Sequence, residues 1–507
     1  MSSSFSASSV AIAMAMQEIM VLSDLKKISD EQLEHRISAF QGTPTHKLQN
    51  WARTFEATPE RIYTPHTIAD TQLIVEAARR ARVRVRAMGV WHSPSDLACS
   101  EGWIVIMSGI AGVISIDKED RTITTHSGTL LRDINQALDV NNLAMPILGS
   151  ISDQTIAGCL ATATHGSGID HHCMSSYVHS LSILVASGEV LECSRTLHPH
   201  LFNATLCSLG ATGIILSVVL SVEEKFNLHQ VTTAMSFDEY TSSPSSWLDR
   251  WRTAPYVKAF WLPQTGGVSL MQSYKAAQNT EKYQPQAPVS STLFSFLLQP
   301  LLLVKRYVPA IAPLLSHLAW RCVFGQHQQR TDTSCNIFNM DCGLLQYTTE
   351  WSVPLSQAYE CMLELNEWLV DENDVDFPLE VRISKADDIL LSPANKHVGN
   401  QVETHFMWIG LIKYKPFNCR VRYRRIFRTF EDILRKYNGR AHWAKHSTQT
   451  PQEVGEKYSG LPKFMEIIHK YDEHGIFLNP FIDRHLICEK GDTYRHFKTH
   501  QVEAFGF

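Results

Sequence analysis

Between Trp51 and Phe226, short apolar runs alternate with helical-period segments, and no stretch keeps one period long enough for a bundle, a repeat array or a membrane span. "TIADTQLIVEAARRAR" spaces its apolar residues as a helix does, with Thr67 or Asp70 as caps, and "VRVRAMG" then alternates as a strand. "WIVIM", "GVISID" and "RTITTHSG" are short β-runs, and "LLRDINQALDVNN" returns to helical spacing. "VHSLSILVASGEVLEC" predicts a hairpin about Ser187-Gly188-Glu189. "LFNATLCSLGATGIILSVVLSVEEKF" predicts a helix, a glycine turn at Gly210 to Gly213 and a buried strand. Such a mixture implies an α+β domain over residues 51–226.

A chain of 507 residues exceeds one ordinary core, so further domains are expected. Residues 1–50 are expected to form a mobile or helical extension, 227–490 a second α+β domain, and 491–507 a tail. The second region offers the helix "LSQAYECMLELNEWLVDE", the strands "FPLEVRIS" and "THFMWIGLIKY", and the basic helix "RVRYRRIFRTFEDILRKYN". Its apolar stretch, residues 291–320, has a first uncharged run shorter than the ~20 residues that cross a bilayer, and Pro300 interrupts it. A buried helical hairpin is the plain expectation there. A segment lying on a membrane surface is the alternative.

Charge and cysteine usage narrow the class. With 46 Lys+Arg against 51 Asp+Glu the formal charge is −5, so no global field favours nucleic acid. The eleven cysteines contain no CxxC pair, which is neither a zinc site nor a disulfide framework, and they suggest an intracellular protein with reduced thiols. The Ser-rich start lacks the basic residues of a targeting peptide before its apolar run.

Four segments carry candidate chemistry. "RVRAMGVWHSPSDLA" runs from a strand into a turn that presents His92. "LGSISDQTIAGCLATATHGSGIDHH" is a run of small residues whose backbone N–H groups can approach a phosphate, yet neither GxGxxG nor a P-loop occurs in it. Its His165, His171 and His172 lie on a glycine-rich turn that fixes no metal-ligand spacing, so no metal is expected. In "FPLEVRIS", Glu380 and Arg382 share one face of a strand, where they can orient hydroxyls and stabilise anionic charge. "RAHWAKHS" gathers His442, Trp443 and Lys445.

In this order the segments resemble the aldonolactone oxidases, the sugar-lactone branch of the vanillyl-alcohol-oxidase-type flavoproteins, and among them the fungal D-arabinono-1,4-lactone enzymes. The motifs are "NWARTFEATPERIYTPHT", "GVWHSPSD", "LGSISDQTIAG", "ATATHGSG", "DCGLLQYTTEWSVP", "EVRISKADDILLSP" and "GRAHWAKHS", spread from about Asn50 to Pro480. The resemblance implies a two-subdomain FAD-binding domain followed by an α+β substrate (cap) domain. It implies FAD bonded covalently through His92 and wrapped by Gly89, Val90, Trp91, Ser93, Gly149, Ser150, Ile156, Gly158, Thr162, Thr164, His165, Gly166 and Ile215. It also implies that Glu380, Arg382 and Lys445 face the substrate.

The activity so implied is oxidation of a sugar 1,4-lactone by O2 to an ascorbate-type enediol lactone and H2O2. Gly149 stands where such dehydrogenases carry an alanine beside the flavin carbon that meets oxygen, which favours an oxidase. Members of this branch sit on mitochondrial membranes, so peripheral membrane attachment is the implied location. The chain departs from the usual small-Gly-His turn with Val90-Trp91-His92, and has Ala163 where glycine is common. An oxidase of the same fold acting on another alcohol, and a silent membrane-surface protein, are the competing readings.

Overall fold

The structure, a computed structural model, describes residues 19–42, 47–283, 291–340 and 343–487, with main chain only at 291–295. The start of the N-terminal extension, the 491–507 tail and Cys342 therefore lie outside the described residues. What is described of the extension contains helices Leu22–Lys27 and Asp30–Ser38. Its anchor is Glu76, fully enclosed in helix Ile68–Ala81, which accepts from Lys26, Arg79 and Arg80. Burial pushes this carboxyl up, but the three cations outweigh that and bring it to about 2. That helix starts with a reciprocal cap, the Thr67 side chain accepting from Asp70 N–H and Asp70 accepting in return.

The first domain is built in two parts. Strands Arg61–Tyr63, Trp103–Ile106 and Val85–Met88 form a parallel sheet in that order. Beside it lies a five-stranded antiparallel sheet, ordered Val190–Ser194, Val178–Leu184, Ile214–Ser221, Thr122–His126, Val113–Asp117. The hairpin expected about Ser187 to Glu189 is the pairing of the first two of these strands.

From Asn227 the chain builds an eight-stranded antiparallel sheet. Its order is Gln328–Thr333, Asn227–Ser236, Gly267–Ala276, Tyr256–Leu262, Leu379–Lys385, His405–Tyr414, Gln346–Pro354, Arg440–Ala441. Helices Leu355–Asp371 and Arg424–Lys436 cover one face with Met362, Leu365, Phe427 and Phe430, whose helical spacing sets one stripe against Trp351, Val381 and Ile409. Each such side chain contributes roughly 1.5–3 kcal/mol by leaving water. The opposite face is left to line a site.

Two expectations need correction. The second domain does not run unbroken to 490, because helices Pro451–Lys457, Leu461–Tyr471 and Pro480–Leu486 bury Val454, Phe464, Ile468 and Phe481 in the core of the five-stranded sheet. Arg84 is bonded to Asp483 at 2.6 Å, and Asp96 to Arg484 at 2.8 Å, across that return. Nor is the 291–320 stretch a wholly buried hairpin. Helices Ser291–Tyr307 and Ala312–Ala319 set Leu298, Leu302, Leu315 and Ala319 against Leu262, Leu344 and Tyr414, but leave Phe296, Leu301, Val304 and Leu318 exposed, with Phe296 68 % and Leu314 69 % accessible. No described helix is long and apolar enough to cross a membrane.

Candidate active site

Strand Val85–Met88 delivers the chain into the turn Gly89 to Ser93. A Cβ on Gly89 would meet Thr155 Oγ1 at 2.2 Å, so only glycine fits there. The turn is fixed from outside: Trp51 N–H donates to Trp91 C=O at 3.0 Å, Asn50 Nδ2 donates to Ser93 C=O at 3.1 Å, and the His92 ring stacks on Trp51 at 4.9 Å. Trp91 adopts φ +47°, the left-handed region that glycine takes without strain and that costs another residue about 1 kcal/mol or more. Its indole offsets this by burial among Phe55, Met88 and Ile104.

A cavity of about 120 Å³ opens here, lined by Gly89, Val90, Trp91, His92 and Ser93 on one side and by Gly158, Thr162 and Ile215 on the other. Arg86 also lines it, only 5 % exposed, with Nε and Nη1 lacking any hydrogen-bond partner, as does the Ser127 hydroxyl. Burial pulls the Arg86 guanidinium down to about 10. A buried cation with unused donors calls for an anion. The diphosphate of FAD meets that need, so these residues fit the cofactor. The Ile156 side chain is fully buried in the domain core, while its neighbours Thr155 and Ala157 line the cavity.

The second cavity, about 440 Å³, lies against the open face of the eight-stranded sheet. Period-two alternation brings Glu380 and Arg382 to that face, and Thr348 with Glu350 two strands away. Arg382 is bonded to Glu380, donates to Ser150 Oγ at 2.8 Å and reaches the His165 carbonyl at 3.4 Å. Ser150 Oγ donates to the other Glu380 oxygen at 3.4 Å. Lys445 closes the same wall. Glu380, Arg382 and Lys445, the three residues implied to face the substrate, line this cavity together, and Ser150, implied at the cofactor, lines it with them, whereas Gly166 lines a smaller adjoining cavity and Gly149, Thr164 and His165 line none of the three. The same cavity is also lined by apolar side chains, Phe260, Phe324, Leu344, Ile412 and Tyr414, with Phe260 the cross-strand neighbour of Glu380.

Glu350, which no motif argument singled out, is a second carboxylate in this wall. Its Oε1 lies 3.3 Å from His165 Nε2, and the His165 ring stacks on Trp408 at 3.7 Å. His165 Nδ1 lies 2.9 Å from the Gly166 carbonyl, which can only accept, so Nδ1 carries a proton. Burial raises the Glu350 carboxyl, but His165, Arg382 and Lys445 hold it well below the usual range. Glu380 is depressed likewise, Arg382 outweighing burial. His442, pulled by burial to about 3, is neutral and accepts Ala444 N–H at Nδ1.

His165, Glu350 and His442 are close enough to bracket an ion. Arg382 and Lys445 already face Glu350, so a divalent cation would meet positive charge, and no metal role is assigned. His171 does not join them, being stacked on Tyr256 with Nδ1 at 3.0 Å from the Tyr177 hydroxyl. Two buried cations were also missed by motif: Arg86 and Lys258, the latter facing Arg382 across neighbouring strands. Their signal is strand alternation alone.

Comparison with known proteins agrees with this arrangement. A family profile described as "FAD binding domain" matches residues 59–194, and one described as "D-arabinono-1,4-lactone oxidase" matches residues 218–485. The L-gulonolactone oxidase of Scyliorhinus torazame is 30 % identical over 88 % of this chain and 99 % of its own. The D-arabinono-1,4-lactone oxidase of Candida albicans is 28 % identical over 80 % and 85 %. Among solved structures, cholesterol oxidase from B. sterolicum superposes with a TM-score of 0.75 at 15 % identity, covering 88 % of this chain and 99 % of that one, which shows a shared fold. The chain belongs to the D-arabinono-1,4-lactone oxidase family, FAD-dependent aldonolactone oxidoreductases, which sets aside a catalytically silent protein.

Proposed function

We propose that the protein oxidises a sugar 1,4-lactone of the D-arabinono-1,4-lactone type with O2, giving an ascorbate-type enediol lactone and H2O2. The observation that carries this is the Glu380–Arg382–Ser150 cluster with Lys445 in one cavity wall, an array of charged groups suited to a small, hydroxyl-rich ring. FAD, when bound, accepts hydride from the carbon bearing the hydroxyl and passes the electrons to O2. The chain supplies position and charge. Glu380, ionised beside Arg382, accepts the hydrogen bond of the reacting hydroxyl and takes its proton as hydride leaves. Arg382 and Lys445 stabilise the negative charge that results.

His92 in this reading forms the covalent bond to the flavin. Its support is a turn held from both sides by Asn50 and Trp51. The test is direct: purified protein incubated with aldonolactones should release H2O2, and acid precipitation should give a yellow pellet that turns white in His92→Ala. Inertness toward every aldonolactone would sink the lactone assignment. A coloured pellet from the variant would sink the bond. The apolar residues in the cavity lining favour one second reading, an oxidase of the same fold for a bulkier alcohol, which the same substrate panel separates.

The location belongs with this reading. The exposed apolar face of the 291–324 segment, flanked by Arg306 and Arg321, supports peripheral attachment to an intracellular membrane, mitochondrial by resemblance.

A further inference from the structure

Lys258 stands on strand Tyr256–Leu262, opposite Arg382 on one neighbouring strand and Met271 on the other. It is 9 % exposed and does not line the lactone cavity. It lines instead a chamber of about 30 Å³, room enough for a small molecule, walled by Leu148, Ser150, Gln230, Met271, Ser273 and Arg382 among others. Ser150, Met271 and Arg382 are shared with the lactone cavity, so the chamber lies directly behind the catalytic cluster. Leu148 and Ser150 flank Gly149, where a Cβ would come within 3.1 Å of Thr164 Cγ2.

The charges around Lys258 are unbalanced. Glu380 and Arg382 face it from strand Leu379–Lys385 and Arg330 from strand Gln328–Thr333, while strand Gly267–Ala276 offers only Met271 and Ser273 to the chamber. Glu380 is the one carboxylate among them, and it is already bonded to Arg382. Burial lowers the Lys258 ammonium to about 8 against the attraction of Glu380, so it is mainly charged at neutral pH. A positive charge lining a small buried chamber stabilises an anion formed within it.

We propose that this chamber is where O2 is reduced, and that Lys258 is the catalytic residue that stabilises the negative charge arising on oxygen. The inference rests on the oxidase reading above. Both electrons and one proton come from the reduced cofactor, a second proton comes from solvent, and O2 leaves as H2O2. The first electron transferred makes an oxygen anion, and the ammonium faces it.

The holoenzyme and its Lys258→Met and Lys258→Arg variants test this. The flavin is reduced photochemically without lactone and mixed with O2, and reduction by lactone is followed separately under anaerobic conditions. Lys258→Met should lose 10- to 100-fold in the reoxidation rate constant and less than threefold in anaerobic reduction, with FAD content and absorption maxima unchanged. Lys258→Arg should keep reoxidation within threefold. In the parent enzyme reoxidation should slow as pH rises through about 8, and the Met variant should show no such limb. Crystals pressurised with xenon should hold the gas in the chamber. Equal slowing of both half-reactions, unaltered reoxidation in Lys258→Met, or a chamber that admits no xenon would each overturn the proposal. Because photoreduction needs no lactone, these failures differ from failure of the lactone assignment.

Discussion

Arg382 holds three groups at once, the Glu380 carboxylate, the Ser150 hydroxyl and the His165 carbonyl, and thereby ties the cap strand to the first domain at the reacting centre. Replacing Glu380 by Gln keeps the shape but removes the base. Steady-state kinetics of Glu380→Gln should show kcat lowered by about 10²–10³-fold, or roughly 3–4 kcal/mol, with a smaller change in KM. Because Glu380 lies below the ordinary carboxylate value, it stays ionised as pH falls to that value. The acid limb of kcat/KM should therefore lie below the ordinary glutamate range in the parent enzyme. Glu380 and Arg382 were legible in the sequence because alternation fixes which residues of one strand share a face. Glu350, Lys258 and Arg86 were not, since what makes them functional is burial against strands far away in the chain, and no local pattern encodes that.

At the scale of elements, the strands and helices of residues 51–226 followed their periodicities closely, whereas the 291–324 segment did not resolve from sequence. An apolar run reads alike whether protein or lipid covers it. Only the assembled sheet shows that Leu298 and Leu315 face inward while Phe296 and Leu314 face out. We expect the protein to sediment with anionic phospholipid vesicles, and the double change Phe296→Ser with Leu314→Ser to lower that binding at least tenfold while leaving lactone turnover in solution within twofold. Retention of vesicle binding by the double variant would remove the support this face lends to membrane attachment. The N-terminal helices depend on Glu76 in a different way. Its carboxyl is depressed in the fold, so its stabilisation is complete above the unfolded value near 4.5 and disappears as pH falls toward 2. Glu76→Gln should therefore lower thermal stability at pH 7 and narrow its gap to the parent as the pH drops through that window.

For the whole molecule, the two domains meet through His165, a first-domain ring stacked on Trp408 beside His442 of the cap and facing Glu350. Backbone bonds run alongside, from Gly168 N–H to Ile383 C=O at 2.8 Å and from Lys385 N–H to His171 C=O at 2.8 Å. His165→Ala should cost about 2–4 kcal/mol in denaturant unfolding and lower kcat, since it empties a packed site and removes the ring that faces Glu350. Family resemblance had supplied the two-domain plan, yet the return of the last helices to the first core was hidden. Their amphipathic pattern says that they pack, not against what.

That return bears on how the enzyme is made. Asn479 donates to the carbonyls of Leu97 and Cys99, and Arg484 holds Asp96, so the loop just after His92 is buttressed by residues synthesised at the far end of the chain. A nascent polypeptide can complete the three-stranded sheet early, but the seat of the flavin stays open until the closing helices have left the ribosome. A chain truncated before Asn479 is therefore expected to incorporate less FAD, read as flavin absorbance per purified chain.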